Sequence, residues 1–125
     1  MTREQKDLLI KDLCGRLSHG VKCKILETNE VKILGAIQYD GENTLFDFWE
    51  DDQKIQYGYQ LYLSEFKPCL LPISSMSKDQ KKYIRDNHTF GATHELFDYL
   101  DKNNYDYRGL IEMGLVDDAT GLNIY

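Results

Sequence analysis

Apolar residues change their period twice along this chain of 125 residues. Leu9, Leu13 and Leu17 recur at helical spacing beside Leu8 and Ile10, with Lys6, Asp7, Lys11 and Asp12 between them. That pattern is one face of an α-helix. Thr2 with Gln5 forms a capping box that opens it, and Ser18-His19-Gly20 ends it. From Val21 the period drops to two, the mark of strands with one buried face. Val21, Cys23 and Ile25 alternate with Lys22 and Lys24, and Thr28-Asn29-Glu30 is a short turn. Val31–Tyr39 then places Val31, Ile33, Ile37 and Tyr39 on one face, with Leu34 and Ala36 on the other. Gly35 in this run suggests a bulge or a close backbone approach. Asp40-Gly41 is the strongest hairpin signal in the chain.

Two more alternating runs follow. Thr44–Trp49 carries Phe46 and Phe48 on one face and Leu45, Asp47 and Trp49 on the other. Ile55–Leu63 alternates Ile55, Tyr57, Tyr59, Leu61 and Leu63 with Gln56, Gly58, Gln60 and Tyr62, which predicts that Tyr57 and Tyr59 are core. Cys69–Ile73, framed by Pro68 and Pro72, reads as an edge strand because proline donates no hydrogen bond. Helical spacing then returns. Ser77 with Gln80 repeats the capping box and starts a helix through about Asp86. Thr93 caps another, with Leu96, Phe97 and Leu100 as its apolar face and Asn103-Asn104 as its end. Arg108–Met113 reads as one more helical turn closed by Gly114. The order predicts a single domain (1–125) of the α+β class: an N-terminal helix, an antiparallel sheet of about five strands, bent or partly closed into a barrel, and two to three C-terminal helices.

A composition of 42% hydrophobic and 12% aromatic residues fits a folded body. The cysteines (Cys14, Cys23, Cys69) are odd in number and widely spaced, Met1–Lys11 is charged throughout, and no apolar run reaches spanning length. These features predict reduced thiols, cytoplasmic residence and no membrane partner. Charge changes the picture more. Ala36–Phe66 has a balance of −6, Lys67–Arg85 of +4, Asp86–Tyr125 of −6 and Met1–Gly35 of +2. Sorting of this kind governs partner choice more than fold. The overall −6 and a pI near 5 argue against direct nucleic-acid binding.

No motif names a reaction. His94 and Asp98 lie one helical turn apart with Glu95 beside them, half of a zinc-protease helix, but the second His of that motif is absent. A solvated helix N-terminus, with Glu95 favoured by the helix dipole, is the preferred reading. Cys23 and Cys69 occupy strand positions where cysteine behaves as a small hydrophobe. Lys78, Lys81, Lys82 and Arg85 fall on one side of their helix and, with Lys67, suit a phosphate or an acidic partner, or plain solvation. Asp40, Glu42, Asp47, Glu50, Asp51 and Asp52 form an acidic hairpin rim without the spacing of a calcium loop. Arg108, with Asp106 or Asp98, suits a structural lock on the C-terminal end.

Phe66-Lys67-Pro68-Cys69-Leu70-Leu71-Pro72-Ile73-Ser74-Ser75-Met76 is similar to a KPxLxPxSSM block, and Tyr105-Asp106-Tyr107-Arg108-Gly109-Leu110-Ile111 with Gly114-Leu115 is similar to a DYRGLIxxGL block. Asp12-Leu13-Cys14-Gly15-Arg16-Leu17 with Gly20-Val21-Lys22 resembles the start of the same proteins. On these blocks the chain resembles short uncharacterised proteins of gut anaerobic bacteria, their phages and mobile elements. Asn104 stands where that pattern has His. The resemblance implies a small stand-alone domain in a phage or mobile-element setting, and no particular activity. The expectation is a non-enzymatic accessory protein without cofactor or metal. It docks on a protein partner through Asp47, Trp49, Glu50, Asp51 and Asp52. The alternatives are an acidic DNA-mimicking inhibitor of a host nucleic-acid-handling or defence enzyme, and a small metal-dependent enzyme using His94 and Asp98.

Overall fold

A computed structural model describes residues 1–39, 41–50, 54–87 and 94–125, of which 50, 54–59, 87, 94 and 95 are described by backbone alone. The capping box at Thr2 is formed in both directions and opens helix α1 (Arg3–Arg16). A 3-10 turn over Leu17–His19 ends at Gly20, whose φ of 75° suits glycine. Strands β1 (Lys22–Ile25), β2 (Val31–Tyr39), β3 (Thr44–Glu50), β4 (Lys54–Leu61) and β5 (Phe66–Pro72) follow. Helices α2 (Lys78–Asn87) and α3 (His94–Lys102) come next, then the two-residue strands β6 (Tyr105–Asp106) and β7 (Asp117–Asp118). Thr93, expected to cap α3, lies outside the described residues.

The fold is α+β, with a sheet that is mixed and not antiparallel throughout. Its order is β4-β3-β2-β1-β5-β6, and β7 also pairs with β5. The first four pairings are antiparallel, whereas β6 and β7 join β5 in parallel. Among the described residues no pairing joins β4 to β6 or β7, so the ladders do not close a barrel there. Strands of two residues carry no alternation, so β6 and β7 left no periodic trace in the sequence. The third C-terminal helix is replaced by turns, in which Met113, Gly114 and Leu115 donate to the carbonyls of Gly109, Ile111 and Leu110.

Strand β5 lies inside the sheet, despite its prolines. Strand N–H groups point to alternate edges. Leu26 donates to Glu65 and Leu71 to Asn104, which puts the odd-numbered residues on the β1 and β6 edge, while Ala119 donates to Leu70 on the other edge. Pro68 therefore faces the β7 edge one residue before β7 begins, opposite Cys69. Its missing donor leaves no gap in a ladder.

Phe46, Phe48, Leu34, Leu9, Leu13, Val21, Cys23, Ile25, Phe66, Leu70 and Leu110 form the main core. Phe66 meets Phe46 and Phe48 edge-on, each at 5.0 Å, an arrangement favoured by ring quadrupoles. A smaller core, Met76, Leu100 and Tyr105 with Leu71, Ile84, Leu96 and Tyr99, joins α2 and α3 to the sheet. Tyr39 is exposed at the end of β2, and the expected faces hold only in part: Leu34, expected opposite Ile37, is buried in the core on which Ile37 also packs, while Val31 is exposed. The cause is a register shift between Leu34 and Ala36, which makes Gly35 an extra residue and inverts the alternation. Among the described residues no helix is long and apolar enough to cross a membrane.

Candidate functional site

Strand alternation turns Phe46 and Phe48 inward and sends Asp47 and Trp49 to the opposite face. Ladder irregularities lie on both sides of this segment. The β2 register shifts at Gly35, and the β4 register shifts between Asp47 and Trp49. Bulges bend a strand and re-aim its side chains, and they concentrate near functional sites. Here they bring the indole of Trp49 flat against Gly35. A Cβ added at Gly35 would meet Trp49 Nε1 at 3.0 Å and Cδ1 at 3.2 Å. The half-buried ring borders a groove of about 570 Å³ lined also by Cys14, Leu17, Ser18 and Gly20.

Asp47 does not share that exposure. It is 3% exposed, and its carboxylate accepts from the Gln38 side chain. The side chain of Glu50, and all of Asp51 and Asp52, lie outside the described residues. So do Asp40 and the side chain of His94, and with them the half-motif at His94 and Asp98; Asp98 itself is exposed on α3. Tyr57 and Tyr59 have described backbones only. Lys67 does not join the cations of α2: it lies 3.3 Å from Asp117, which also takes Lys24 at 3.5 Å.

A second constellation is built from the helix that the sequence read as simply amphipathic. Leu9, Asp12, Leu13 and Arg16 make up the buried stripe of α1. Arg16 Nε donates to Asp12 Oδ2 at 2.8 Å, and both side chains are fully buried. Arg16 Nη2 donates to the Tyr105 carbonyl at 2.6 Å and lies 3.8 Å from Asp101. Arg108 Nε donates to the same Asp12 carboxylate at 3.1 Å, so its carboxylate partner is neither Asp106 nor Asp98. Asp106 instead accepts the backbone N–H groups of Arg108, Leu110 and Ile111. The Tyr107 ring lies under both guanidiniums, with Arg108 at 4.8 Å and Arg16 at 5.4 Å from its centroid. Its hydroxyl donates to Asp101 at 2.9 Å, and burial with that bond raises its pKa. Gly15 leaves room for Asp101, whose carboxylate oxygen would be 3.3 Å from an added Cβ.

The carboxylates here are engaged by guanidiniums, N–H groups or a phenol, and the geometry is that of a clamp joining α1, α3 and the 104–111 segment. Burial also raises the pKa of Cys23 and Cys69, which favours the thiol over the thiolate. Among the described residues no group of three His, Cys, Asp or Glu side chains converges as a metal site. Sequence reasoning missed Asp12, Arg16 and the groove-lining Cys14 and Leu17. Asp12 and Arg16 do stand one turn apart on the Leu9–Leu13 stripe, and that placement was the available signal. Comparison with known protein families, curated proteins and solved structures finds no match for this chain.

Proposed function

We propose that this protein is a small non-enzymatic accessory, of phage or mobile-element context, that binds a basic segment of a protein partner at Trp49. One observation carries the reading: a partly exposed indole, seated on a bulged glycine between two ladder irregularities, borders an open groove. Buried-edge tryptophans in such settings are typical anchors of binding energy. Glu50, Asp51 and Asp52 follow it directly in sequence, and the Ala36–Phe66 block they belong to carries −6. That charge steers a cationic partner toward the ring. Asp47 serves the site from beneath, through Gln38, and not by contact.

Trp49 is the chain's single tryptophan, so its emission reports the site directly. The test titrates the protein with an aromatic-free Lys/Ala peptide. A saturable change in emission that weakens with salt and is lost in a Glu50→Lys/Asp51→Lys/Asp52→Lys variant supports the reading. Unchanged emission at low salt overturns it.

A further inference from the structure

Several cations on the sheet and in the clamp are matched where they lie. Lys24 and Lys67 share Asp117, Lys32 lies 3.8 Å from Glu30, and Arg16 and Arg108 meet on Asp12. Helix α2 differs. Lys78, Lys81 and Lys82 are exposed and, among the described residues, form no ion pair; the equally exposed Arg85 lies 3.7 Å from Asp86. At 3.6 residues per turn, these four side chains occupy about 100° of arc. The packed side of the helix is elsewhere: Gln80 accepts from the Tyr105 hydroxyl at 2.8 Å, and Ile84 enters the smaller core. Lys78 and Lys82 are separated by about 6 Å along the axis, the scale of one phosphodiester repeat.

An exposed aromatic ring stands beside this stripe and is already held in place. Tyr83, which directly follows Lys82, is 48% exposed and stacks on Tyr99 with centroids 5.2 Å apart and planes at 29°. Exposed lysines that track a backbone, next to an exposed ring on which a base stacks, are the two elements of single-strand recognition. An acidic peptide would use the cations and gain little from the ring. We infer that the outer face of α2, with Tyr83, is a weak, sequence-tolerant surface for single-stranded nucleic acid. Helix α2 carries Asp79 and Asp86 of its own and keeps a balance of +2 from four cations and two acids, whereas the chain's −6 is set by acids outside it; that charge opposes broad duplex contact more than contact with one helix face. This surface shares no residue with the Trp49 groove, and the two readings stand or fall separately.

The test is fluorescence anisotropy of a labelled oligothymidylate with the intact chain at low salt, beside a labelled oligoglutamate. Saturable oligothymidylate binding is expected. With three to four cations engaged, it should weaken about 20- to 50-fold between about 50 and 200 mM salt. Lys78→Glu/Lys82→Glu should abolish it. Tyr83→Ala should weaken it about fivefold or more while Tyr83→Phe retains it. Lys11→Glu, a matched charge reversal on α1, should leave it within about twofold. Absence of binding, or binding unmoved by the α2 reversals, overturns the inference. So does oligoglutamate binding of equal strength that ignores Tyr83→Ala, which would assign this face to an acidic protein.

Discussion

The Tyr125 hydroxyl donates to the Cys69 backbone carbonyl at 2.6 Å and accepts from the Lys22 N–H at 2.8 Å. It stands where two ladders hand over. Pairing of β1 with β5 ends at Cys23 opposite Pro68, and β6 takes up the same edge of β5 from Leu71. In the interval, Lys22 and Cys69 would face each other with backbone groups unmatched. A side chain from the end of the chain fills the place of a main-chain pair. The Lys22 ammonium also donates to the Ile124 carbonyl and lies 5.6 Å from the Tyr125 ring centroid.

Tyr125→Phe keeps the ring and removes the bridge. Two polar groups between strands lose their partner, at a cost of about 1–3 kcal/mol. Urea unfolding and faster exchange of the Lys22 amide would show it; unchanged stability and exchange would mean that the bridge contributes nothing. Burial also raises the Tyr125 pKa above its ordinary value. The neutral phenol is the form the fold favours, so its contribution is complete below the unfolded value, about 10, and is lost as pH climbs toward the raised folded value. Tyr125→Phe should flatten the alkaline part of the stability profile.

The Asp12 clamp should be the costliest polar site to break. Asp12→Asn removes the carboxylate that two guanidiniums share, one of them fully buried. Breaking a buried pair on one side costs about 3–5 kcal/mol. Arg108→Met should cost less, because the buried Asp12 carboxylate keeps its pair with Arg16 and the Arg108 side chain, 23% exposed, gave up little hydration to reach it. Denaturant midpoints at constant slope would rank the two, and equal losses would refute the ranking.

Gly35→Ala drives a methyl into the Trp49 indole, which lies 3.0 Å from the added Cβ. Overpacking of this kind costs about 1–3 kcal/mol unless the neighbour moves. We expect the ring to lift, with red-shifted emission and weaker binding of the Lys/Ala peptide. Wild-type emission and binding in this variant would show that the seat is unimportant.

Thiol chemistry should separate the cysteines. Cys14 is exposed, whereas Cys23 and Cys69 are buried and their pKa values are raised. An aromatic disulfide reagent should react rapidly with one thiol in the native protein and with all three in denaturant. Fast labelling of Cys69 in the native state would contradict the packing described, and faster labelling in Tyr125→Phe would tie that packing to the bridge.

Much of the fold was legible because its signals are local. The capping boxes at Thr2 and Ser77 and the alternation around Phe46 and Phe48 each depend on a few neighbouring residues. The errors share a cause. Period two put Val31 on the face of Ile37 and Leu34 on the other because nothing local shows that Gly35 is an inserted residue. Pro68 suggested an edge because the direction its missing donor would face depends on which strand pairs where. Asp47 read as a surface acid because Gln38, its partner, lies on the neighbouring strand.

The sequence by itself determined the class, most of the longer elements and the residues of the central core, since period, capping and burial preference act over a turn or a strand. Tertiary structure alone decided that Asp12 binds arginines 4 and 96 positions away, that Trp49 rests on Gly35, and that Tyr125 closes the gap between β1 and β5. Those contacts join side chains distant in sequence, and their free energy depends on burial and mutual geometry. No local pattern encodes that geometry before the chain has folded.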